Sequence, residues 1–194
     1  MWTRAINVRR VSVAALVSIL FLLAGVVGNG PVGDVEAQTA SADYFLKIEG
    51  IEGESIDDEH RGEIEVLSWS FGATNSVSAP PSGMSAGKVK MADFTIMKKE
   101  DKSTPKLFLG AASGKIIPSM TLTGGTDGRT FVIWELRNVI VTGFETRVGE
   151  GSGTPTDEVR FKSGQIIVSH VTQNSDGTTS VTRAGWDVIA NKKV

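Results

Sequence analysis

The chain has 194 residues, a formal net charge of −2, 40% apolar residues and no cysteine. Its near-neutral balance lacks the basic surplus that drives binding to nucleic acid or anionic membranes. The missing thiols exclude disulfides, cysteine nucleophiles and thiolate metal sites, so stability must come from a core or from assembly.

Residues 1–42 differ in kind from the rest of the chain. Arg4, Arg9 and Arg10 form a basic start, Val11–Gly28 carries no charge, and small and polar residues come next. Ala40-Ser41-Ala42 offers a small-x-small cleavage site before Asp43, and Val35-Glu36-Ala37 a weaker one. This is the layout of a secretory signal peptide. The apolar run sits at the lower edge of the length that spans a bilayer, so an uncleaved anchor is the alternative and the membrane is met only there. Arg9-Arg10 is a weak twin-arginine signal, because Ser12 and Val13 stand where larger apolar residues are expected. The expectation is a leader and spacer over 1–42 and one domain over 43–194, exported to the periplasm or beyond the cell. A domain of that length buries about 68–70% of the surface its unfolded chain exposes.

The domain reads as strands. Tyr44, Leu46 and Ile48 alternate with Phe45, Lys47 and Glu49, and an acidic loop leads to a second run, Glu63–Gly72. In that run the phase slips at Leu67, which predicts a β-bulge. Val89–Met97 is a third run, with Lys88 and Lys90 alternating with Val89 and Met91. Met120–Thr123 and Arg129–Asn138 flank a Gly-rich stretch containing Asp127-Gly128, a hairpin signal. Val139–Glu145, Val159–Phe161, Gln165–Val171 and Ser180–Ile189 supply further strands, with a turn at Asn174–Gly177. One helix interrupts them. Ser103 is placed to cap it with its hydroxyl, Pro105 fits its first turn, and Leu107, Phe108, Ala111 and Ala112 give it an apolar face. Gly114 ends it. Short strands with Gly-rich turns point to a sandwich or barrel.

Particular residues make the reading more specific. They are Asp43–Gly72, then Gly87-Lys88-Val89 with Asp93-Phe94, then Lys102–Leu107, Ser113-Gly114-Lys115, and the closing Ala184–Ile189. Taken in this order, from about Asp43 to the C-terminus, the chain resembles the Hcp family, the haemolysin-coregulated tube proteins of type VI secretion. The resemblance implies a mainly β fold, a compact β-barrel of two antiparallel sheets with one short α-helix. It implies a self-assembling subunit whose homo-hexameric rings stack into a tube, a structural component and effector carrier that meets sheath and tip proteins. It implies no catalysis and no cofactor. The leader departs from the family pattern, so the alternative is an exported Hcp-like oligomer acting outside a type VI machine.

Asn75–Ala86 is a long connection without periodicity, and such loops are usually functional or disordered. Pro80-Pro81 stiffens it and Met84 gives it an adaptable apolar tip. In the Hcp family the loop at this place extends toward neighbouring subunits. Ser78, Pro80, Pro81, Met84 and Ser85 are therefore the candidate subunit-interface residues; the alternative is a solvated loop.

Three look-alikes of catalytic or metal sites are set aside on context. Gly83-Met84-Ser85-Ala86-Gly87 matches G-x-S-x-G, but that motif needs a strand before the serine and a helix after it, and prolines and an alternating run stand there instead. Gly110–Lys115 has the wrong spacing for a phosphate loop and comes after a helix. Asp57-Asp58-Glu59-His60 puts adjacent acids in different directions, so it reads as a solvated turn and not as a cation site. His60 and His170 stand far apart in sequence, which fits structural roles and no metal. Trp69, Trp134 and Trp186 sit at apolar phase and read as core or interface anchors.

Overall fold

A computed structural model describes residues 42–78, 83–149 and 153–194. The leader reading and two of the loop candidates, Pro80 and Pro81, lie outside the described residues. No helix among the described residues is long and apolar enough to cross a membrane.

Strand β1 (Asp43–Ile48) buries Leu46 and Ile48, the phase its alternation predicts. It pairs antiparallel with β7 (Ile117–Thr126), setting Leu46 opposite Leu122 and Ile48 opposite Met120. All four side chains are buried, so one cross-strand row seals one wall of the core. The second predicted run becomes β2 (Ile64–Glu65) and β3 (Ser68–Ser70). The phase slip at Leu67 is not a bulge. The Val66 amide donates to the Tyr44 carbonyl at 2.9 Å, and the next amide, Leu67, donates to the Met97 carbonyl at 2.8 Å. The chain changes partner there, from β1 to β6 (Phe94–Lys99), and the side-chain phase changes with it.

Past Phe71 the chain leaves the main sheet. Strands β4 (Ala73–Ser78) and β5 (Ser85–Met91) pair only with each other. The predicted run Val89–Met97 is thus split at Ala92-Asp93, where the Ala92 amide returns to the Gly72 carbonyl at 2.8 Å. Helix α1 (Thr104–Ser113) comes after β6. It ends as expected, with Gly114 left-handed and its amide bonded to the Gly110 carbonyl. Its start is a correction. Ser103 occupies the N-cap position but makes no side-chain cap bond; its hydroxyl goes to Asp101 instead. The apolar face is also narrower than expected. Leu107 is buried, whereas Phe108 remains 59% exposed and meets Phe144 edge to face.

Strands β8 (Arg129–Arg147) and β9 (Thr156–Gln173) are each longer than the sequence predicts. The positions read as strand ends are bends. Asn138 adopts φ 52°, and Gly164 faces it across the ladder, where an added Cβ would lie 3.3 Å from the Asn138 Cβ and 3.0 Å from Ile189. Glycine lets the two strands approach closely there, where a side chain would have to push its neighbours aside. Asp127 and Gly128 close the β7–β8 hairpin with φ 52° and 71°, the positive pair that a two-residue type I′ turn requires. Strands β10 (Thr179–Asp187) and β11 (Lys192–Lys193) complete the chain.

The result is mainly β with one helix, and every pairing is antiparallel. One nine-stranded sheet wraps the core, and the β4–β5 pair is a second, separate sheet. Its ladders do not close into the expected barrel. The circuit β1–β7–β8–β9–β6–β3 returns to β1 only through the covalent step from β3 back to β2. Inside, Trp69 stacks on Phe94 at 5.6 Å, and Trp134 packs edge-on to Trp69, Phe71 and Phe94 at 5.4–6.0 Å. Trp186 packs against the same core, so all three strand tryptophans are anchors in the sense the sequence predicts.

Candidate functional site

Two features stand out once the fold is built: an exposed arm and a buried charge cluster. The arm is β4 and β5 together. No residue of either strand is buried, and Val77 and Met84 are 60% and 81% exposed. Of the candidate interface residues, Ser78 and Ser85 face each other at its far end with their hydroxyls 3.1 Å apart, and Met84 lies next to them. Over its described residues the predicted irregular loop is therefore largely two antiparallel strands. Within β4 only Thr74 and Val77 are types that favour an extended backbone. The arm carries Lys88 and Lys90 and no acid, and neither lysine has an ion-pair partner among the described residues.

This geometry also removes the serine look-alike. Ser85 opens an outer strand, no helix comes after it, and its hydroxyl meets Ser78. His60 is engaged elsewhere: it stacks on Phe45 at 4.4 Å and its Nδ1 lies 2.9 Å from Glu63. His170 sits exposed on β9 opposite Thr182 and Val132. In the acidic turn, Asp57 Oδ1 accepts from the amides of Glu59 and His60 at 2.9 and 3.0 Å, which folds the turn on itself. Asp58 pairs instead with Arg61 at 3.4 Å. Among the described residues no group of three or more His, Asp or Glu could hold a metal ion.

The buried cluster is the feature that sequence reasoning missed. Lys98 and Asp157 are wholly buried and directly opposite in the β6–β9 ladder, with Nζ 3.0 Å from Oδ2. Lys98 Nζ also reaches Asp101 at 2.9 Å, the Lys99 carbonyl at 2.7 Å and Thr104 Oγ1 at 3.1 Å. Asp157 accepts from Thr104 at 2.6 Å and Thr146 at 2.8 Å. Four elements meet here: β6, the start of α1, β8 and β9. Burial alone pushes the Asp157 carboxyl up, but the hydrogen bonds from Thr104, Thr146 and Lys98 and the lysine charge outweigh it. The net effect holds the carboxyl below the ordinary aspartate value. The signal was present in the sequence. Lys98 shares the core phase of Phe94 and Ile96 in β6, and Asp157 shares that of Val159 and Phe161 in β9. Two opposite charges at inward positions of two strands mark such a pair. The cluster has no access to solvent at its centre, so it is a fastening and not a reaction site.

Comparison with known proteins places the whole domain. Residues 45–170 match the family model described as type VI secretion system effector, Hcp. Protein hcp1 of Pseudomonas aeruginosa is 35% identical over 158 residues, covering 78% of this chain and 98% of that protein. A solved type six secretion system protein superposes with a TM-score of 0.73 at 28% identity, covering 79% of this chain and all of that one. Hcp1 from Salmonella typhimurium gives 0.64 at 28% identity, with coverage of 79% and 100%. A type VI secretion system effector from Yersinia pestis gives 0.63 at 29%, with coverage of 75% and 100%. The chain belongs to the Hcp family, the secreted tube proteins of type VI secretion, which are structural components and not enzymes.

Proposed function

We propose that this chain is a ring-forming subunit whose β4–β5 arm joins it to further copies. The arm carries the reading. A lone two-stranded hairpin is marginal in water, yet here one stands apart from the main sheet with no buried residue. Its extended form gains from being covered, and exposed Val77 and Met84 give a partner apolar surface to cover. The outer edge of β10 supports the same reading. Over Thr179–Ala184 it pairs with β9 on one side alone, and these residues are exposed. Open edges of this kind are normally blunted or covered. Head-to-tail contacts that close into a ring cover edge and arm in every copy at once. The six-fold order, stacking into a tube, effectors held in the lumen, and contacts with sheath and tip proteins belong to this reading through the family.

The leader favours a second reading. A basic start, an uncharged apolar run and a small-residue cleavage site direct the chain through the general export route. The ring then works in the periplasm or outside the cell, apart from a contractile machine.

Deleting Ser78–Ser85 tests the arm. The shortened chain is expected to keep its β spectrum and lose its largest assemblies in sizing and sedimentation. Assemblies of unchanged size would show that the arm joins nothing.

A further inference from the structure

The arm has a candidate receptor on the same fold. A groove of about 450 Å³ runs beside β1, bounded by Ala42–Phe45, Ile56-Asp57 and Glu65–Leu67. Tyr44, Ile56 and Leu67 give it an apolar lining, and Ile56 and Leu67 are 81% and 52% exposed. Its charged lining residues are Asp43, Asp57 and Glu65, with no base among them. Asp43 and Glu65 have no ion-pair partner among the described residues. Three carboxylates around exposed apolar side chains make a surface that repels itself and welcomes an apolar anchor flanked by cations.

The arm has that chemistry. Met84 is 81% exposed beside the tip, and methionine adapts to irregular apolar gaps. Lys88 and Lys90 lie on one face of β5, both exposed and unpaired, with no acid on either arm strand. None of the arm's described residues lines the groove of its own chain. We infer that the arm of one copy lays Met84 into the groove of another, with Lys88 and Lys90 against Asp43, Asp57 and Glu65. This rests on the assembly reading above and names the surface that the arm meets. The apolar anchor holds the contact. The charges select the register and the partner, because like charges brought together at a wrong register are costly.

The absence of cysteine makes the test clean. Full-length chains carrying Met84→Cys alone and Ile56→Cys alone are mixed under mild oxidation. Any disulfide joining the two kinds of chain is then intermolecular. The mixed dimer is expected as the main product, well above a control pairing Met84→Cys with Lys115→Cys, an exposed position outside the arm, the groove and the β10 edge. Adding Lys88→Glu and Lys90→Glu to the first chain should lose most of that product. Adding Asp43→Lys and Glu65→Lys to the second should then bring it back. Particles of normal size with no link above the control would overturn the groove contact and leave the assembly reading standing. Chains that stay single and never link would remove both. Loss of product that charge reversal in the partner fails to restore would overturn the lysine–carboxylate pairing.

Discussion

Lys98→Met is expected to destabilise the domain by about 3–5 kcal/mol, the cost of removing one partner of a buried ion pair. The change leaves Asp157 and Asp101 without the cation that separates them, and Asp157 stays wholly buried. Asp157→Asn should cost less, because Lys98 keeps Asp101 and the Lys99 carbonyl. Combining Lys98→Met with Asp157→Leu should recover part of the loss, since the wholly buried carboxylate goes with its cation and only the partly exposed Asp101 is left unpaired. Urea unfolding followed by tryptophan fluorescence separates these outcomes. Equal losses in the single and double variants would show that the pair acts through packing alone. The same cluster sets an acid limit. The Asp157 carboxyl is held below its ordinary value, so its stabilising contribution is fully present above that value. It is lost as the pH falls below about 4 and the folded-state carboxyl takes its proton. Asp157→Asn should flatten that part of the stability profile.

Phe94→Ala is the second large effect, also about 3–5 kcal/mol, from transfer of a large aromatic plus the cavity it leaves. Phe94 is 1% exposed, stacks on Trp69 at an interplanar angle of 4°, and touches Phe71 and Trp134. It faces Phe161 across the β6–β9 ladder. Losing it opens the core where β3, β6 and β9 join, the seam that carries the chain from one side of the circuit to the other. Phe94→Leu keeps much of the volume and should cost markedly less. Denaturant unfolding of both variants checks the order, and an alanine variant as stable as the leucine one would show that the aromatic cluster is dispensable.

Much of this fold is legible in the sequence because period-two patterning is local. Leu46 and Ile48 announce the inward face of β1, and Asp127-Gly128 announces a hairpin, though not that its strands run right up to that pair. Ser113-Gly114 announces the end of the helix. The features that are not legible depend on distant partners. The slip at Leu67 looks the same in sequence whether a strand bulges or changes neighbour, and only the position of Met97 decides it. Asn138 and Gly164 read as strand ends one at a time. Together they form a bend, because each needs the other's register. Asn75–Ala86 of the arm reads as a loop because it shows no apolar periodicity; a strand that packs on nothing within its own chain leaves no core-facing pattern. The Lys98–Asp157 pair is readable in principle, since both charges occupy inward phase, but its strength comes from Thr104 and Thr146 on other elements.

The mass of the native exported particle puts the central claim to its plainest test. Analytical ultracentrifugation or native mass spectrometry across a wide concentration range should give a closed multiple of one chain, six by family likeness, with larger stacks as concentration rises. A well-folded β protein that keeps the mass of a single chain at every concentration would contradict it.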